Sequence, residues 1–430
     1  MIFRLSIVPV VLIILCDCPS ADGREQSFEN FDIPVRARKP RGSIKSLRRK
    51  AEAGDVSVMV RLAHRFLQGE GVREDVVVAM KWFRKAADKG NAEAMSMIGS
   101  MYGDGLAVKQ DQRKAMQWYE KAVRNGNASA ISAIGWLHYH GYGVPRNINK
   151  AVEHYRRAAE KGSHEGMNNL GFAYSQGLGV KRDMKKAFFW LRKSAVRGNK
   201  WAFFQMGLAF LHGDGVDADS KRGISLLKRA ASLNSEGAML SLAQAYMGRS
   251  GVKKDLGKVV FWTRVAVNSG SFAGMRQMAI LHLDGIGVPK SEKQAYSWYV
   301  RAVKAGDLIS VIEMAYCQFR GRGVKRDAKK AVALLKSSAT NGNVLAMRIL
   351  AHTYFEGRFI KRDDATSLIW YRKAAALGDD VSMLSLSAAY ILGRGVEKNE
   401  ETAMEWIRKS AKLGNLRAIQ ILKRSGNKPN

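Results

Sequence analysis

The sequence predicts an all-α solenoid of about ten 36-residue helix-turn-helix repeats closed by half-repeat caps. Three observations predict it. Gly recurs at 54, 90, 126, 162, 198, 270, 306, 342, 378 and 414 without insertion or deletion, and Asn234, which also tolerates a left-handed backbone, fills the gap. Positions 75, 111, 147, 183, 219, 255, 291, 327, 363 and 399 are all Asp, Asn or Ser, the side chains that cap a helix N-terminus. The column running from Ala63 to Ser387 admits only Gly, Ala or Ser, so two helices must approach closely there in every copy. A fixed period of this length means a solenoid, whose core grows copy by copy.

Taken in order, residues 1–21 read as a secretory signal. Arg4 supplies a positive n-region, Leu5 to Cys16 is an apolar run, and Ser20 and Ala21 are small residues near a cleavage point. That run is shorter than the roughly 20 residues that span a bilayer; an uncleaved short anchor is the alternative reading. Residues 22–42 carry Pro34, Pro40 and the basic run Arg36, Arg38, Lys39 and Arg41, and read as a disordered linker. Residues 43–54 look like a second helix alone, ten full repeats fill 55–414, and 415–430 hold a first helix alone and a tail. Such caps cover apolar faces that terminal repeats would expose.

The unit 55–90 shows how one repeat is built. Val58, Met59, Leu62, Ala63 and Phe66 share one face of a first helix, which Gly69 and Gly71 break. Asp75 then caps a second helix whose apolar face is Ala79, Trp82, Phe83, Ala86 and Ala87, and Gly90 ends it. Arg249 replaces a first loop Gly and Phe359 a second, so both loops must adjust locally.

Residues 166–199 carry a resemblance. Gly166, Leu170, Gly171, Tyr174, Gly177, Gly179, Val180, Asp183, Lys186, Ala187, Trp190, Leu191, Lys193, Ala195, Gly198 and Asn199 form a pattern similar to the Sel-1-like repeat, a relative of the tetratricopeptide repeat. The resemblance implies antiparallel helix pairs stacked into a right-handed superhelix that serves as an adaptor for other proteins. For secreted bacterial members it implies roles in envelope signalling or toward a host. Cysteine-rich members are associated with penicillin binding, but the cysteines that staple their repeats are missing here. Cys16 and Cys18 lie in the leader and Cys317 is alone in the body.

The charge is far from balanced: 71 Lys and Arg against 38 Asp and Glu give +33. Such a field favours acidic proteins, anionic polymers or membrane surfaces as partners. The adjacent columns that begin at Arg84 and Lys85 on the second helix are basic in 16 of 20 positions. Loop pairs Lys181/Arg182, Lys253/Lys254, Lys325/Arg326 and Lys361/Arg362 add to them and are candidate anionic contacts. Half of this charge is ordinary solvated face. Aromatics are not interleaved with the basic columns, and this reading, with the leader, argues against nucleic acid.

No constellation points to catalysis. His138, His140, His154 and His164 cluster, and His138 and His154 should face each other between paired helices, but no carboxylate or Cys completes a metal site. Gly-x-Gly pairs such as Gly141/Gly143 follow helices, not strands, and are turn punctuation. Cys317 reads as a buried structural thiol. No cofactor and no metal are expected.

By analogy with tetratricopeptide repeats, first helices line the concave side, with groove columns at Ser57, Val60, His64 and Leu67. These columns are polar early and apolar later. The candidate groove is Trp136, Phe172, Trp201, Phe204, Leu208, Leu240, Ile312, Tyr316, Phe319 and Phe355; tighter packing that buries some of them is the alternative. The expected function is a non-enzymatic scaffold of the bacterial envelope or exterior, holding an acidic protein partner in this groove. The alternative is a binder of anionic envelope polymers or lipid headgroups through the basic outer face.

Overall fold

The computed structural model describes residues 43–424; the expected leader, the linker to residue 42 and residues 425–430 lie outside the described residues. Among the described residues, every regular element is an α-helix. The chain divides into two units, one ending at Leu233 and the other starting at Asn234. The first holds α1 (Ile44–Glu52), α2 (Val56–Gln68), α3 (Val76–Asp88), α4 (Ala92–Asp104), α5 (Gln112–Arg124), α6 (Ala128–His140), α7 (Ile148–Glu160), α8 (His164–Gln176), α9 (Met184–Val196), α10 (Lys200–His212) and α11 (Ser220–Ser232). The second holds α12 (Glu236–Ala245), α13 (Leu256–Asn268), α14 (Phe272–Asp284), α15 (Glu292–Lys304), α16 (Leu308–Arg320), α17 (Ala328–Thr340), α18 (Val344–Glu356), α19 (Asp364–Ala376), α20 (Asp380–Leu392), α21 (Glu400–Lys412) and α22 (Leu416–Arg424). Even-numbered helices from α2 are the first helices of repeats, and odd-numbered ones from α3 are the second.

The helices start where the capping column lies. The Asp75 carboxylate accepts from the backbone N–H of Val77 and Val78 at 3.1 and 2.9 Å, satisfying donors that the first turn leaves unpaired. First helices end at a left-handed Gly, such as Gly69 with φ 67°. Asn234 takes φ 59° in the column otherwise held by Gly. The small column is explained by contact: a Cβ at Gly135 would sit 2.8 Å from the Tyr155 ring, and one at Gly171 2.8 Å from Leu191. Second-helix residues therefore press directly on first-helix backbone, and Phe83, Tyr299 and Tyr371 are fully buried between the layers. Burying one such side chain stabilises by roughly 1.5–3 kcal/mol.

Capping residues also tie successive repeats. Asn127 caps α6 with its oxygen, and its amide donates to the Ala92 carbonyl of α4 at 3.3 Å. Asn343 does the same between α18 and Leu308, at 3.2 Å.

Both irregular loops adjust. α12 is 10 residues long where its counterparts have 13, and its exit uses Gly248, Ser250 and Gly251 at positive φ in place of the Gly that Arg249 displaces. Phe359 avoids positive φ, and its ring stacks on Phe319 with centroids 4.8 Å apart.

Candidate partner-binding face

Four columns of the first helix were expected to face a groove, and the structure separates them. The Ser57 and His64 columns reach solvent: Trp201 is 50% exposed, Trp136 43% and Phe172 39%. The Val60 and Leu67 columns turn into the seam between successive first helices, Ile391 excepted. Val60, Ser132, Asn168, Ile312, Leu211 and Phe319 are buried there.

In the first unit, α6, α8 and α10 place Trp136, Phe172 and half-buried Leu208 at one register, 36 residues apart. Trp136 and Phe172 flank a cavity of about 180 Å³ between α6 and α8, floored by Val152 and Tyr155 of α7. Tyr139, His140 and Asn169 complete its wall, with Leu178 at the rim. Its aromatic side is held by ring contacts. His140 lies 4.4 Å from Trp136, Tyr142 packs edge-on to Trp136 at 5.2 Å, and Tyr139 meets His140 at 4.9 Å. Asn169 donates to Ser132 Oγ at 3.0 Å, so its amide is already oriented. This wall is apolar with polar tips, the chemistry that accepts one apolar or aromatic side chain of a partner. Further along the unit, Trp201 and half-buried Phe204 meet edge-on at 6.4 Å.

The second unit corrects the expected groove. Ile312 is 4% exposed and Phe319 1%, so neither can touch a partner. Phe319 is covered because Phe359, in place of a loop Gly, lays its ring on it. Ile312 sits in the Val60 column, which the next first helix covers. Tyr316 and Phe355 are half-buried against the same core, and the Arg394 guanidinium lies 3.5 Å over the Phe355 ring. Leu240 is half-buried. Ile280, Leu308, Val381 and Ile391 are exposed apolar residues of these first helices, together with Phe272, Leu392 and Leu416.

Within that face, Arg276 and Arg348 occupy the column expected to be apolar. Arg276 binds Asp307, the cap of α16, and Arg348 binds Asp379, the cap of α20. Sequence reasoning passed over both; the signal was Asp at a cap position that is Asn or Ser from Asn91 to Ser271.

His138 and His154 do face each other, stacked with centroids 5.5 Å apart and planes 7° from parallel. Both Nδ1 atoms are buried without a hydrogen-bond partner among the described residues. Burial, with His138 and Arg157 beside it, holds the His154 imidazole below the ordinary histidine value. His140 turns away into the aromatic wall, and His164 pairs with Glu165 at 3.3 Å. Among the described residues no group of three or more His, Cys, Asp or Glu could hold a metal ion. Burial, then Glu313, pushes the Cys317 thiol up to about 11, which deprives it of nucleophilic character.

All eight predicted loop cations are exposed. Arg182 has structural work: its Nε donates to the Ser175 carbonyl at the end of α8, and it pairs with Asp214. Arg362 pairs with Asp364. Lys181, Lys253, Lys254, Lys325, Arg326 and Lys361 form no ion pair among the described residues. On the second helices cations lie over tryptophan faces, as Lys85 does over Trp82 at 4.6 Å and Lys373 over Trp370 at 4.6 Å. One expectation is overturned here. The basic face is interleaved with large apolar side chains: Phe189, Phe261 and Ile369 are 50, 56 and 51% exposed among these cations.

This architecture defines a class, the helix-hairpin repeat scaffold. The particular family follows from the chain's own matches: the Sel1 repeat model matches residues 56–91, 92–127, 128–163, 164–199, 203–235, 237–271, 273–307, 310–343, 344–379 and 381–415, and the chain belongs to that family. Sel1 repeat proteins are generally protein-interaction scaffolds, typically without catalysis. Among solved structures, the chain is similar to c5321, a protective antigen present in uropathogenic Escherichia coli strains, at 28% identity over 90% of this chain and 84% of that one, with a TM-score of 0.42. A Sel1 repeat protein from Oxalobacter formigenes is 27% identical over 72% of this chain and 90% of that one, with a TM-score of 0.47. Helicobacter pylori cysteine rich protein B is 26% identical over 31% of this chain and 96% of that one, with a TM-score of 0.26. No curated protein matches. No helix among the described residues is long and apolar enough to cross a membrane.

Proposed function

We propose that this chain is a non-enzymatic scaffold, exported by its leader to the envelope or exterior of a bacterium, that holds a segment of a partner protein on its first-helix face. The carrying observation is the cavity between α6 and α8, flanked by the exposed rings of Trp136 and Phe172. A partner's apolar side chain would enter it, and aromatic anchors of this kind dominate interface energies. The positive field of +33 would speed the approach of an acidic partner. Trp201 with Phe204 offers a second contact on the same unit.

Cross-linking capture from the native organism tests the reading. The full chain should retain partners that Trp136→Ala with Phe172→Ala loses by about tenfold or more. Equal capture by the double variant would overturn the assignment of this face.

A further inference from the structure

We propose that the outer, second-helix face of each unit is a docking surface for an anionic lipid membrane. The observation is a coincidence inside the repeat. Four of the ten loops carry two adjacent cations: Lys181/Arg182, Lys253/Lys254, Lys325/Arg326 and Lys361/Arg362. Eight residues further on, those four repeats carry Phe189, Phe261, Ala333 and Ile369. The other six repeats carry Lys81, Gln117, Glu153, Ser225, Ser297 and Glu405 at that position. An apolar residue therefore stands there in all four repeats with a doubly charged loop and in none of the others.

The structure shows that this column faces water. Phe189, Phe261 and Ile369 are half or more exposed, so the column has no role in the core that would demand apolar character. Each is flanked by exposed cations one helical turn on: Arg192 and Lys193 beside Phe189, Arg264 beside Phe261, Arg372 and Lys373 beside Ile369. Lys193 Nζ lies 4.3 Å over the Phe189 ring. On α9, Val196 extends the apolar row and is 71% exposed.

The partner must therefore offer negative charge and an apolar layer together. A soluble polyanion would engage the cations and gain nothing from Phe189 or Ile369. A nucleic acid could stack bases on Phe189 and Phe261 but not on Ile369, whose side chain has no π-face. The headgroup and acyl boundary of an anionic bilayer offers both at once: phosphates meet the Lys and Arg tips while rings and aliphatic groups enter the interface. The first unit presents one such element, on α9. The second presents α13 and α19, with α17 adding Lys325, Arg326 and exposed Lys329 and Lys330 beside the smaller Ala333.

The test uses the full chain with vesicles of phosphatidylglycerol and phosphatidylcholine, and with phosphatidylcholine vesicles as the reference for any contribution of residues 1–21. An environment-sensitive fluorescent amino acid at position 189, 261 or 369 should shift to the blue on anionic vesicles, and at Ser225 or Ser297 it should not. The variant F189S/F261S/I369S uses a residue that the column already accepts. It should lose roughly tenfold of the preference for anionic over neutral vesicles, each inserted side chain counting for a factor of a few. Its affinity for heparin should be unchanged. Solvent-like emission at all three sites on vesicle-bound chain, an equal shift at Ser225 and Ser297, or wild-type vesicle preference in the triple variant would overturn the proposal. So would a failure of the wild-type chain to prefer anionic vesicles while it still captures an acidic protein through this face. Trp136→Ala with Phe172→Ala should leave every vesicle reading unchanged, so failure here is distinct from failure of the first-helix assignment.

Discussion

The Arg276 guanidinium reaches from α14 to the carboxylate of Asp307, the cap of α16, at 2.6 and 2.7 Å, and Asp307 is 3% exposed. Asp307 also accepts from the Ser310 backbone N–H at 3.2 Å, so one carboxylate starts a helix and ties two repeats. Elsewhere an Asn does both, with its amide donating to the preceding first helix. Asp has no donor, and Arg276 replaces the missing link from the other side. Arg348 and Asp379 repeat the arrangement at 2.8 Å.

This exchange predicts a non-additive pair. Arg276→Leu alone leaves a buried carboxylate unpaired and should cost about 2–3 kcal/mol of stability. Arg276→Leu with Asp307→Asn recreates the Leu384/Asn415 combination and should recover most of that loss. A urea-unfolding double-mutant cycle in which the two changes simply add would sink the account.

Ala107 sits at φ 60°, in a loop column where most copies have Gly. An L-residue there carries roughly 1–2 kcal/mol of strain, against somewhat under 1 kcal/mol for the added chain freedom of Gly. Ala107→Gly should therefore stabilise by about 0.5–1 kcal/mol, seen as a higher unfolding midpoint; a lower midpoint contradicts it.

Burial of His154 in the stacked pair makes stability depend on pH. His154 is held below its ordinary value, so on acidification the unfolded chain binds that proton first. Its stabilising contribution is complete above about pH 6.5 and is lost as pH falls below that value. Capping carboxylates such as Asp111 and Asp183, lowered by backbone N–H groups, act only in a more acidic range. The variant H138Y/H154W, which restores the aromatic types of these columns, should lose less melting temperature between pH 7 and pH 5 than the parent. Equal losses would remove the pair as the cause.

Cys317 should resist alkylation at neutral pH in the native chain and react once urea unfolds it, because burial and a thiol pushed up to about 11 both suppress the thiolate. Mass spectrometry of the peptide carrying Cys317 reads the outcome. Rapid native labelling would mean that α16 opens locally.

Local chemistry was legible in the sequence. A cap needs an Asx or Ser oxygen and a helix end needs a left-handed residue, and neither requirement depends on distant packing, so the period, the helices and the seam of small residues could be read directly. Orientation was harder. Whether Ile312 faces solvent depends on how α16 leans on its neighbouring first helices, and Phe319 is hidden by a residue forty positions later. The aromatic wall at Trp136 and Phe172 was readable because those residues interrupt a polar run. Phe189, Phe261 and Ile369 were missed because each looks like a core residue until its column is compared across repeats.

The residues that close the second helices set a different kind of constraint. A Cβ placed on Gly126 or Gly342 would meet nothing within 4 Å, yet both hold φ near 90°. Space is open at these sites, and what they disfavour is an L-configured α-carbon. Asn234 shows that a side chain fits once its backbone accepts the turn. In stereochemical terms, the close of each second helix asks once in every 36 residues for the mirror image of the residue that translation supplies, and glycine, being achiral, answers by default.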